Sequence, residues 1–115
     1  ARTDRKEIML DLRRVAFILD EVGLERDIQD ARWGEQNHPD GTGFSYQQQV
    51  AEAWKRANVA AVLDGNLTFS HILMEEVYEA LAESDKDTLR EELIQVAAVA
   101  VAWVEKLDRE KETSD

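Results

Sequence analysis

Residues 92–104 read ELIQVAAVAVAWV. From Leu93 to Val104 every residue except Gln95 is apolar. Wound as a helix, the stretch is apolar nearly all round, and a helix apolar on every side is buried on every side. A four-helix monomer of 115 residues hardly covers one helix completely. The stretch therefore predicts an all-α bundle whose chains assemble, as a homodimer (the commonest arrangement) or a homotetramer.

Outward from this helix, the rest of the chain reads as three more. Ile8, Leu12, Val15, Leu19 and Val22 recur at helical spacing, giving an amphipathic helix over about 5–22. Gly23 ends or bends it, and Leu24, Ile28 and Ala31 carry the spacing on to Trp33. Residues 34–46 break the pattern with Gly34, Asn37, Pro39, Asp40, Gly41 and Gly43, all turn formers. Irregular stretches of this length in small helical domains often carry function. A second helix follows over Tyr46–Leu63, capped by Ser45, with Val50, Ala53, Trp54, Ala57 and Ala61 on one side. Asp64, Gly65 and Asn66 stop it. Thr68 caps a third helix to about Ser84, and Asp87 caps a fourth from Thr88 to about Arg109. Residues 110–115 read as a frayed polar tail. No segment sustains strand alternation. The whole is one domain, 1–115, in a four-helix bundle with an N-terminal helical extension over 1–17.

Charge narrows the function classes. The formal net charge is −11, a field that repels phosphate backbones and argues against a nucleic-acid polymer as partner. A small phosphate ester still binds an acidic chain when a divalent metal supplies the positive charge. With no cysteine there is no disulfide, thiolate nucleophile or Cys-based zinc site. No apolar run reaches the roughly 18 residues of a membrane span. Residues 1–11 lack the apolar core of a signal peptide, so the expected location is cytoplasmic.

The third helix carries the anomaly. Phe69, Ile72, Leu73, Val77 and Ala80 define its inward stripe at about 100° per residue. Glu76 falls inside that stripe, Glu79 lies at its edge, and Glu75 points further toward solvent. An ionised carboxylate facing a core is costly unless something pairs it. The fourth helix repeats the arrangement with Glu92 and Gln95, three apart as Glu76 and Glu79 are. Side chains three apart on a helix stand roughly 5–6 Å from one another at Cβ. If the two helices pack antiparallel, the pairs face each other. Three carboxylates and an amide oxygen then make a cage for a hard cation, and magnesium in such a cage accepts phosphate oxygens.

Glu75-Glu76-Val77-Tyr78-Glu79 followed by Glu92-Leu93-Ile94-Gln95 resembles the EExxE…ExxD signature of the all-α NTP pyrophosphatases, the MazG-like group. Residues 32–39, RWGEQNHP, look like the loop that precedes this signature in small MazG-like proteins. The Ala-Val repeats of 91–105 are also similar. The resemblance spans about 18–109. It implies a four-helix MazG-like bundle that cleaves a nucleoside triphosphate, (d)NTP, between the α- and β-phosphates. The products are a monophosphate and pyrophosphate, with Mg²⁺ as cofactor and Mn²⁺ as a substitute, in the clearance of non-standard nucleotides. Glu76, Glu79 and Glu92 become metal ligands. The fourth position is Gln95 where the family has Asp; Gln coordinates through its carbonyl but brings no charge. Glu75 and Glu76 are the catalytic candidates, with Glu75 the base for a carboxylate-oriented water.

Three further residues are candidates for substrate binding: Trp33 and His38 for the base, and Lys55 for phosphate. His71, away from the inward stripe, reads as surface or interface. Trp54 and Trp103 read as packing. The alternative to an enzyme is a non-catalytic MazG-like helical protein that binds nucleotide or a protein partner. Gln95 is the residue that favours it.

Overall fold

The computed structural model describes residues 5–114, the side chains of 6–11 and 114 excepted. Its elements are α1 (Arg5–Trp33), α2 (Ser45–Asp64), α3 (Phe69–Leu81) and α4 (Lys86–Ser114). The described residues are thus all-α, without strands. No helix among them is long and apolar enough to cross a membrane.

Several helix ends differ from the sequence reading. The helix α1 passes through Gly23 without a break. The N-cap of α2 is Phe44 rather than Ser45, because the Gln47 side chain reaches back to accept the Phe44 N–H at 3.0 Å. Gly65 closes α2 in the left-handed region at φ 71°, and Asn66 N–H donates to the Ala61 carbonyl at 2.8 Å. Thr68 caps α3 as expected, its hydroxyl accepting from His71 N–H. That helix stops at Leu81, short of Ser84, and the Leu81 carbonyl accepts from Gly43 N–H across the loop at 2.9 Å. For α4 the cap is Asp85, not Asp87: Thr88 donates its N–H and its hydroxyl to one Asp85 oxygen, each at 2.9 Å. Those bonds, the backbone one first, hold the Asp85 carboxyl below its ordinary range. The same helix continues past Arg109 to Ser114, so the expected frayed tail is helical as far as it is described.

The chain divides into two compact units. The first comprises α1 and the part of α4 from Val101 onward. Ile18 is its buried centre, with Arg14 and Val15 half-buried beside it. Arg14 donates to the Glu105 carbonyl and pairs with Glu112 at 3.0 Å, so this face of α1 meets α4. Of the apolar stripe on α1, Val15 is half-buried while Leu12, Leu19 and Val22 are exposed, and the Ile8 side chain lies outside the described residues.

The second unit, Pro39–Ala100, packs α2 on α3. Ala51, Ala61 and Ala80 are its buried apolar residues, small enough for two backbones to approach closely. The buried face of α2 is turned from the expected one. Ala53 and Ala57 are exposed, while Gln47 and Asn58 are buried. Gln47 earns its place as a staple, donating to the Gly41 carbonyl at 2.9 Å while it accepts from Phe44. This fastens the loop over 39–44 to the start of α2.

Candidate metal centre

Capping sets the register of the acidic residues. Thr68 starts α3 so that Glu76 and Glu79 lie one turn apart on the flank toward α4, and Asp85 starts α4 so that Glu92 comes up opposite. One carboxylate oxygen from each of Glu76, Glu79 and Glu92 lies within 4.8 Å of the others. All three residues are half-buried.

The electrostatics are those of crowded like charge. Burial pushes the Glu76 carboxyl above its ordinary value of 4.5, and the charges of Glu92 and Glu75 push it further. Burial likewise raises Glu79, followed by the charges of Glu76, Glu92 and Glu75, while Lys55 pulls it back. A divalent cation among these oxygens replaces repulsion with attraction, and hard carboxylate oxygens at this separation fit Mg²⁺ or Mn²⁺. The donor set therefore suits the cofactor that the sequence suggests.

The surroundings extend the site in two directions. A hollow of about 530 Å³ is lined by Glu79 and Glu92 together with Gln48, Glu52, Lys55 and Glu83. Lys55 also borders a second, more apolar hollow of about 330 Å³, walled by Val59, Val62, Leu63, Leu67 and Ile72. Its ammonium lies 3.7 Å from Glu52 in an exposed pair that holds it only weakly. Asn58 and Glu75 complete the second hollow.

Glu75 is not turned toward solvent as the helical wheel suggests. It is half-buried, and one of its oxygens accepts from the Asn58 side chain at 3.2 Å. The reason lies on α2: Asn58 also donates to the His71 carbonyl at 2.9 Å, which brings its amide against this face of α3. His71 is half-buried. Its Nδ1 sits 2.6 Å from the Thr68 hydroxyl, and its ring meets Trp54 edge-on at 6.4 Å. Gln95 is exposed on α4, one turn beyond Glu92.

Trp33 and His38 belong to the other unit. Both are exposed, and with Glu35, Gln36 and Asn37 they line a hollow of about 570 Å³. The Arg32 guanidinium lies over the Trp33 ring at 5.6 Å.

Asn58 and Gln47 escaped the sequence reading. The available signal was their spacing: 47, 51, 54, 58 and 61 form one helical stripe, with two amides among apolar residues. No protein-family model matches this chain, and no curated protein or solved structure matches it either.

Proposed function

We propose that this chain is a magnesium-dependent nucleoside triphosphate pyrophosphohydrolase of the MazG-like kind, converting (d)NTP and water to (d)NMP and pyrophosphate in the cytoplasm. The observation that carries the reading is the convergence of Glu76, Glu79 and Glu92 from two helices, with oxygens within 4.8 Å. The motif resemblance in the same residues supports it. Half-buried carboxylates that repel one another are a cost to folding, and a bound cation turns that cost into an affinity.

Glu76, Glu79 and Glu92 hold the cation in this reading, with the Gln95 carbonyl as a neutral fourth group. When bound, Mg²⁺ neutralises phosphate charge and keeps the triphosphate in line for attack. Glu75, beside the three ligands, accepts the proton of the attacking water. Lys55, between the acidic hollow and the apolar one, pairs with phosphate, and the apolar hollow takes the base.

Self-association belongs to the same proposal. Leu93 and Ile94 are 52% and 55% exposed in the single chain, and Phe17, Leu19, Val22 and Leu24 stand out on α1. Large apolar groups in such number mark surfaces that another chain covers. A homodimer or homotetramer accounts for them.

The test is pyrophosphate release from a panel of (d)NTPs with and without Mg²⁺, for the wild type and Glu76→Ala. Metal-dependent release that the substitution abolishes is expected. If no (d)NTP is cleaved at high protein concentration, the hydrolase reading fails. The second reading, a non-catalytic helical protein that binds nucleotide or a protein partner, then takes its place, and the exposed neutral Gln95 is what favours it.

A further inference from the structure

Asn58 stands out among the polar residues of the second unit. Only 6% exposed, it sits on the face of α2 that packs on α3. Its Nδ2 donates to the His71 carbonyl at 2.9 Å and to Glu75 Oε2 at 3.2 Å. Its Oδ1 is buried without any partner. Flipping the amide brings no relief, because Oδ1 would then face the His71 carbonyl and the Glu75 carboxylate, both acceptors. The orientation is therefore fixed, and one buried acceptor goes unpaired to keep it.

Folding alone does not account for this choice. The His71 carbonyl lies inside α3, where the backbone ladder already supplies a partner. An apolar residue at 58 would remove the orphaned Oδ1 and leave only Glu75 without a donor. A polar residue kept at a cost to stability is the mark of a functional position. What Asn58 holds is Glu75, the carboxylate next to the metal ligands, whose charge reaches both Glu76 and Glu79.

We propose that Asn58 is a positioning residue: its amide, anchored on the His71 carbonyl, pins one oxygen of Glu75 and leaves the other to act on water and on the charge balance of the acidic trio. The proposal rests on the hydrolase reading of the site. Asn58 borders the apolar hollow but supplies no metal ligand, and the role proposed for it acts through Glu75.

The experiment compares the wild type with Asn58→Ala, Asn58→Asp, Glu75→Gln and the double variant Asn58→Ala/Glu75→Gln, each as the full chain. The kcat and KM of pyrophosphate release and the affinity for Mn²⁺ alone are measured. Asn58→Ala is expected to lower kcat about ten-fold with KM little changed, the usual scale for removing a group that orients a ligand or base. Asn58→Asp, which sets a second carboxylate against Glu75, lowers it further. The double variant is no worse than Glu75→Gln. Mn²⁺ affinity follows the same rule: each single substitution weakens it, and the double does so no more than Glu75→Gln. Effects that multiply in the double variant overturn the proposal, as does an Asn58→Ala with unchanged kcat and unchanged Mn²⁺ affinity. A wild type that releases no pyrophosphate overturns the hydrolase reading alone. The Mn²⁺ titration then decides for or against Asn58 by the same criterion.

Discussion

The two units differ in where they place like charge. In the first, opposite charges meet: Arg26 with Asp30 at 2.8 Å, Lys106 with Glu110 at 2.8 Å, and Arg14 with Glu112 at 3.0 Å. The second also has exposed pairs, Lys55 with Glu52 at 3.7 Å and Lys86 with Asp40 at 3.5 Å, but in it like charges meet as well. Glu76, Glu79 and Glu92 crowd together with Glu75 nearby, and Lys55 is the cation that offsets them. A chain selected for stability alone would separate such carboxylates. Paired charges on solvated faces contribute little, while crowded ones in a half-buried cleft reserve energy for a ligand. On the proposed function, the contrast separates residues that serve the fold from those that serve a site.

Removing a carboxylate from the crowded set should show the largest effect. Glu92→Gln is expected to reduce pyrophosphate release by about 100-fold or more, since a lost metal ligand forfeits several kcal/mol of charge stabilisation. Steady-state kinetics across a range of Mg²⁺ concentrations checks this. The same substitution at any paired acid of the first unit, such as Asp30, should leave the rate unchanged. Equal losses in the two units would dissolve the contrast.

Backbone geometry gives the next effect. Gly43 sits at φ 84°, in the left-handed region, and a Cβ there would stand 2.9 Å from Ser84 Cβ. Its N–H also supplies the bond that ends α3. Gly43→Ala is therefore expected to cost about 1–3 kcal/mol. That lowers the thermal midpoint by several degrees, which calorimetry measures. Gly23, helical on α1 with open space around it, should instead gain about 0.5–1 kcal/mol on the same change to Ala.

The pH dependence tests the crowding more finely. Glu76 and Glu79 carry raised values in the folded chain, so the fold binds their protons more tightly than the unfolded chain does. Their contribution to stability is complete below the ordinary 4.5 and is lost as pH rises through the raised values. Without metal, Glu79→Gln should thus be more stable than the wild type at pH 8, by on the order of 2 °C in midpoint. The gap should close by about pH 4.5. Taking the difference between the two proteins cancels the carboxylates that Glu79 does not reach. Mg²⁺ should stabilise the wild type at pH 8, progressively less at lower pH, and the variant hardly at all. A wild type as stable as Glu79→Gln at every pH would show that the trio is not strained.

Much of this contrast was legible in the sequence, and the illegible part has one cause. Period and caps located four helices, and Glu76, Glu79 and Glu92 stood out because acids on an inward stripe violate a local rule. Helix ends were misplaced where one particular partner decides the cap, as when Gly43 takes the Leu81 carbonyl or Gln47 reaches back to Phe44. The same held for Glu75. Its position on the wheel suggests solvent, and only the Asn58 amide from α2 turns it inward. Asn58 itself was hidden because polar residues are ordinarily assigned to the outside of a helix. Local rules cannot show which neighbour a side chain meets, and each of these cases depends on a neighbour.

The smallest effect belongs to the paired unit. Arg26 donates to Asp30 at 2.8 Å and to Gln29 at 2.7 Å, but its side chain and that of Asp30 are more than half exposed. Water screens the pair, and ordering two long side chains offsets much of what remains. Arg26→Ala should therefore change stability by no more than about 0.5 kcal/mol, and less still in high salt. Urea denaturation at low and high ionic strength resolves that figure. A loss of the size expected for Gly43→Ala would mean that α1 depends on its surface charges. The first unit, whose buried apolar residue among the described ones is Ile18, would then be held by electrostatics rather than packing, and the proposed division between fold-serving and site-serving charges would have to be redrawn.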